Sequence, residues 1–204
     1  MAQPSYIPLT NLVSVIGPHY CVPYPIDLAI TRKLLALTDG NFVVTDVNGN
    51  IMFKVKVRIT FLRERQLLTD AAGNPIVTLR PKIMSAHSRW QVFRGNSKDP
   101  ADLLFTAKTS SIFQLRTRLN VYLAHNTTEE VCDFKVEGSW LERSCVIYAG
   151  DSSTVVAQMH QRYSAESILL GKDKFMVTVY PNIDYAFIVS LIVILDDINS
   201  EDGS

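Results

Sequence analysis

The sequence has no excess of charge, no paired cysteine motif and no long apolar span, and each absence removes a class of protein. Twenty acidic residues balance twenty basic ones, so a nucleic-acid binder relying on broad electrostatic attraction is disfavoured, although a local basic patch is not. The three cysteines, Cys21, Cys132 and Cys145, are odd in number and widely spaced. No C-x-x-C and no Cys/His spacing suited to zinc occurs. Reduced, buried thiols are the simplest reading and fit a cytoplasmic or nuclear address. No Lys or Arg precedes Arg32, which argues against a secretory signal. The sequence also lacks a serine-hydrolase elbow, a phosphate-binding glycine loop, a zinc-protease helix motif and a dinucleotide glycine pattern.

What is present is a core. Hydrophobic residues make up 47% of the 204 residues, enough to fill one barrel or sandwich. From about Tyr24 onward the apolar pattern has period two. Ile51, Phe53, Val55 and Val57 alternate with Met52, Lys54 and Lys56, and Cys132, Phe134 and Val136 alternate with Asp133, Lys135 and Glu137. Runs around Phe113–Leu123 and Phe175–Val179 behave alike. Such runs are half-buried antiparallel strands, and their number suggests a barrel or a sandwich. Residues 1–20 hold three prolines and little periodicity, and read as a flexible tail before a domain over 21–199, with a second tail at 200–204.

Two segments, Thr45–Asn50 and Thr69–Asn74, share the pattern T-D-x-x-G-N. Asn48-Gly49 alone would suit a two-residue type I′ hairpin, but Ala72 in the second copy resists positive φ. Both copies fit a type I turn that begins at Asp and closes with Gly in the left-handed conformation. A calcium loop does not fit, because Ile51 stands where such a loop needs Gly.

The segment Tyr185–Leu195 breaks the alternation, being apolar throughout except for Ser190. As a helix it spans ~16 Å at ~1.5 Å per residue, about half of a ~30 Å hydrocarbon core. A simple membrane span is therefore excluded. A buried strand and a helix enclosed by protein both remain open, with Asn182 or Asp184 available to cap the helix. Nine large apolar side chains at ~1.5–3 kcal/mol each outweigh a typical net stability of ~5–15 kcal/mol. Whichever conformation it takes, this segment belongs at the centre of the fold.

Reactive chemistry is harder to find. Cys145, His87 and Asp133 are the sort of residues that a triad assembled only in space could use, but ordinary structural roles account for them more simply. Trp90 and Trp140 read as core or as barrel-end seals. The basic residues are better candidates. Lys108, Arg116 and Arg118 fall on solvent-facing positions of strands expected to join at a turn around Ser110-Ser111, where pairing would bring the three cations onto one surface. A second group comprises Arg80, Lys82, His87 and Arg89. Clustered Arg and Lys can clamp a phosphorylated headgroup through charge-assisted hydrogen bonds.

Several stretches resemble the LURP-one-related family, best known from plants: Tyr20-Cys21-Val22-Pro23-Tyr24-Pro25, Thr38-Asp39-Gly40-Asn41-Phe42, the T-D-x-x-G-N hairpins, Arg89-Trp90-Gln91-Val92-Phe93-Arg94-Gly95, Gly138-Ser139-Trp140-Leu141-Glu142-Arg143 and Tyr180-Pro181-Asn182-Ile183-Asp184-Tyr185-Ala186-Phe187. The resemblance covers roughly residues 20–199. That family is similar in fold to the tubby C-terminal domain and the phospholipid scramblases. It implies a mainly β fold, a closed antiparallel β-barrel of about twelve strands around a central buried hydrophobic C-terminal α-helix. It also implies no enzymatic activity and no cofactor. Tethering to anionic membrane lipids such as phosphoinositides, with a membrane-peripheral or nuclear address and roles in defence or transcription, is implied by the same comparison. Lys108, Arg116 and Arg118 are the headgroup candidates, chosen on geometry. Gly171-Lys172-Asp173-Lys174-Phe175 departs from the acidic stretch of scramblases, so calcium-dependent scrambling is not expected. A protein-interaction scaffold without lipid affinity is the alternative.

Overall fold

The alternating runs become twelve antiparallel strands in a computed structural model, which describes residues 11–32, 42–60, 63–82, 89–113, 116–160 and 174–201. The first four strands are β1 (Ile26–Arg32), β2 (Phe42–Thr45), β3 (Ile51–Thr60) and β4 (Arg63–Asp70). Next come β5 (Pro75–Pro81), β6 (Arg89–Arg94), β7 (Leu103–Phe113) and β8 (Arg116–Leu123). The last four are β9 (Phe134–Gly138), β10 (Val146–Ala149), β11 (Val155–His160) and β12 (Lys174–Val179), followed by the helix α1 (Tyr185–Glu201). Each strand pairs with its neighbours in sequence, and β1 closes the barrel on β12 with Leu28 opposite Val177. Closure leaves no sheet edge exposed for pairing with another chain.

The two T-D-x-x-G-N segments form the β2–β3 and β4–β5 hairpins by the same device. Gly49 and Gly73 sit at φ 85° and 94°, and their N–H groups donate to the carbonyls of Asp46 and Asp70. The aspartate side chains accept from the Asn50 and Asn74 backbones at 2.8 Å. Register shifts next to each turn, between Val44 and Thr45 and between Leu68 and Thr69, are the expected bulges.

The apolar segment is a helix, and it runs six residues past Leu195, to Glu201. It fills the bore. Ala186 to Leu195 are all buried, as are the inward residues of the wall. Phe187 meets Phe105 edge-on at 5.1 Å and Phe134 at 4.9 Å. The hydroxyl of Ser190, the segment's only polar side chain, donates to the Ala186 carbonyl at 2.8 Å, so its burial leaves no unpaired group. Asp184 is the cap, accepting from Phe187 N–H through Oδ1 at 3.0 Å.

Residues 11–20, expected to be part of a tail, are held to the barrel end. Val13 bridges to Ile183, Ile16 is buried, and Arg94 donates to the Ile16 carbonyl at 2.8 Å. Residues 11–20 gave no periodic signal because they are anchored by single hydrogen bonds and not by a ladder. The expected turn at Ser110-Ser111 is also displaced. Those serines lie within β7, at a register irregularity between Thr109 and Ser111. Trp90 and Trp140 are buried, Trp140 edge-on to Phe175 at 5.6 Å. The Arg143 guanidinium lies 4.3 Å from the Trp140 ring centroid and 4.6 Å from that of Phe175, a cation–π contact with both. Gly138 is required beneath this turn: at φ 142° a Cβ would stand 2.6 Å from the Ser144 carbonyl.

Candidate functional site

Because α1 occupies the bore, side chains able to meet a partner sit on the outer wall and at the rims. On β7 and β8, Lys108 lies opposite Asn120 and Ser111 opposite Arg118. The bulge thus separates Lys108 from Arg118 along the pair, while both keep to the outer face. Arg116 lies opposite Phe113 in the backbone register; its side chain is outside the described residues.

Lys108 does not stand alone. It and Arg89, which faces it in register, both bind the Glu129 carboxylate, Arg89 at 2.9 Å. Lys108 also lies 5.1 Å from the centre of the Tyr122 ring. Glu129 holds a positive φ of 54°, and its N–H donates to the Asn126 side-chain oxygen. Partial burial pushes the Glu129 carboxyl up, but the hydrogen bonds and charges of Lys108 and Arg89 outweigh it and hold the group below its ordinary value. Arg118 pairs with Glu137 at 3.3 Å, with 59% of its side chain exposed. Two shallow clefts meet at this pair. One, of about 530 Å³, is bordered by Ser139, Glu142, Ser144 and Tyr148. The other, of about 280 Å³, is bordered by Asn120, Glu130, Lys135 and Asp151.

Of the second cationic group, Arg89 is committed to Glu129, Arg80 and Lys82 stand on or just beyond β5, and His87 lies outside the described residues. The nominated triad finds no support in geometry. Cys145 is fully buried, and burial pushes its thiol up to about 12 despite nearby Arg143. Asp133 accepts from Leu123 N–H and from the Asn126 amide, both at 2.8 Å, which is a loop-fixing role. Among the described residues no three His, Cys, Asp or Glu side chains group as a metal site, and no helix is long and apolar enough to cross a membrane. Gly171 to Asp173, the stretch compared with scramblases, lie outside the described residues.

Sequence reasoning put Lys108 and Arg118 at outward positions, where their side chains stand, but missed their counter-charges. Glu137 was visible as an outward residue of its strand. Glu129 was not, because it reaches Lys108 and Arg89 from a loop with no periodic signal.

The chain's relatives agree with this architecture. The LURP-one-related family model matches residues 26–196. Protein LURP-one-related 15 of Arabidopsis thaliana is 62% identical over 188 residues, 92% of this chain and 87% of that protein. Protein LURP-one-related 10 of the same plant is 56% identical over 192 residues, 94% and 99% of the two chains. An X-ray structure of an Arabidopsis thaliana protein superposes with a TM-score of 0.72 at 53% identity, covering 91% of this chain and 98% of that one. With the family model spanning every strand and most of the helix, the chain belongs to the LURP-one-related family.

Proposed function

We propose that this chain is a non-enzymatic membrane-tethering module whose outer wall binds anionic lipid headgroups, phosphoinositides among them. The observation that supports this reading best is the filled bore. Ala186 to Leu195 are buried against the inner wall, so the helix takes the bore for its own side chains and recognition moves to the surface. Cations on a barrel wall suit a planar array of phosphates, since each adds attraction without needing a shaped pocket. Lys108, Arg116 and Arg118 are proposed as contacts. The resemblance to tubby and scramblase folds points the same way, with a cytoplasmic, membrane-peripheral or nuclear address and a role in plant defence. The second reading is a protein-interaction scaffold. It is favoured by the pairing of Lys108 with Glu129 and of Arg118 with Glu137, which gives this part of the wall the mixed charge of a protein-binding surface.

Co-sedimentation of the full chain with phosphatidylcholine vesicles, with and without phosphoinositide, separates the two. Pelleting only with the phosphoinositide vesicles supports tethering; no pelleting with either leaves the scaffold. The triple variant Lys108→Ala/Arg116→Ala/Arg118→Ala is expected to weaken binding only severalfold, because Lys108 and Arg118 are already partly neutralised by Glu129 and Glu137. Unchanged binding would remove these three as contacts.

A further inference from the structure

The balanced net charge conceals a polarised barrel. Strands β3 to β6 contain eight lysines and arginines against two acids, Glu64 and Asp70, whereas the whole chain has twenty of each sign. Some of these cations are already committed. Lys54 donates to the Ala71 carbonyl, Arg94 to the Ile16 carbonyl, and Arg89 is paired with Glu129. Lys56, Arg65, Arg80 and Lys82 are at least partly exposed and make no ion pair among the described residues.

Register brings these four together. Arg65 lies opposite Arg58 of β3, which places Lys56 on the diagonal to Arg65, within ~7–8 Å. The Gln66–Leu79 pair sets Arg65 beside Arg80 one residue further on, at the ~5 Å spacing of cross-strand neighbours. Lys82, donating its N–H to the Arg89 carbonyl at 2.7 Å, continues the row past β5. Like charges so placed destabilise a sheet, and among the described residues none of the four is held in an ion pair. A cost of this kind, left in place on an otherwise well-paired barrel, is expected at a binding surface.

We infer that the outer face of β3, β4 and β5, through Lys56, Arg65, Arg80 and Lys82, is the principal anion-binding surface of this protein, and that its partner is an anionic bilayer. The membrane is favoured because the cations spread over three strands of a convex wall and do not converge on one phosphate. Among the described residues no aromatic ring lies between the four cations to stack a base, as single-stranded nucleic acid would require. This inference rests on the membrane reading for the nature of the ligand, and differs from it in placing the main contact away from Lys108 and Arg118.

The test compares the wild-type chain, Lys56→Glu/Arg65→Glu/Arg80→Glu and Lys108→Ala/Arg116→Ala/Arg118→Ala on phosphatidylcholine vesicles containing phosphatidylserine or phosphoinositide. Each basic residue near an anionic surface is worth roughly fivefold in binding, so the strip variant should lose on the order of 100-fold and the other only severalfold. Circular dichroism melts establish that each variant is folded. If charge reversal prevents folding, Arg65→Gln/Arg80→Gln is read in its place, with a loss of more than tenfold expected. Wild-type binding with the strip variant unaffected overturns the strip and leaves tethering intact. No vesicle binding by the wild type overturns both. Tighter binding to a duplex oligonucleotide than to vesicles overturns the bilayer as partner.

Discussion

Asp184 and Ile16 are 168 residues apart in sequence and joined by a 2.7 Å hydrogen bond, from the Ile16 N–H to the carboxylate Oδ2. The same oxygen accepts from Val15 and Gly17 at 3.1 and 3.0 Å, while Oδ1 caps the helix at Phe187. One buried carboxylate thus satisfies the helix start and fastens the N-terminal segment over the barrel mouth. Four donors on one side chain explain how an unpaired acid is tolerated inside the fold.

Replacing Asp184 should therefore be costly. Asp184→Ala leaves buried N–H groups without acceptors at ~1–3 kcal/mol each, and a loss of about 3–5 kcal/mol is expected after some find water. Asp184→Asn should lose nearly as much, since its amide presents a donor to donors. Urea denaturation measures both; a loss below ~1 kcal/mol for the alanine variant would show the clasp to be dispensable.

The helix core tolerates no charge. Ile192 is fully buried, and Ile192→Asp places a carboxylate inside the bore among the apolar side chains of the core. Insoluble or unfolded protein is expected. A soluble variant with an unchanged melting temperature would contradict the packing described above.

Glu129 links Arg89 and Lys108 to a loop, and its carboxyl titrates below its ordinary value of 4.5. A group depressed on folding adds stability above its unfolded value and loses it as pH falls through the folded one. Stability should therefore decline from about pH 4.5 downward, and Glu129→Gln should flatten part of that slope. The effect is modest, of order 1 kcal/mol or less for partly exposed pairs. Thermal melts of both proteins between pH 3 and 7 measure it, and identical slopes would show that the triad adds nothing.

The thiols should be inert in the folded chain. Burial first, and then the Asp184 charge, push Cys21 up to about 11, and burial pushes Cys145 to about 12. Burial and Asp151 also raise Cys132. Little thiolate exists at pH 8, so a disulfide reagent should label the native protein slowly and all three cysteines rapidly in guanidinium. Fast labelling of Cys145 in the native state would revive a nucleophilic role.

Much of this protein can be read from its sequence. Alternation at Ile51–Val57, Phe134–Val136 and Phe175–Val179 specifies strands, because period two is a local property of the chain. The T-D-x-x-G-N turns are equally local: each aspartate bonds within four residues, and only glycine takes the positive φ. The apolar segment from Tyr185 announced itself as central by magnitude alone. Its helical form was not determined by composition, because both a strand and a helix bury the same side chains. The family resemblance supplied the helix, and the structure extended it to Glu201.

Tertiary structure alone decided the rest. The clasp between Asp184 and residues 15–17, and the reach of Glu129 to Arg89 and Lys108, depend on ring closure bringing distant segments together. Whether a cation is free or paired depends on that closure too. Lys108 and Lys56 look alike in sequence, each outward on a strand, yet one meets a carboxylate and the other lies beside arginines. Side-chain type is local, but electrostatic environment is set by neighbours that only the closed barrel assembles.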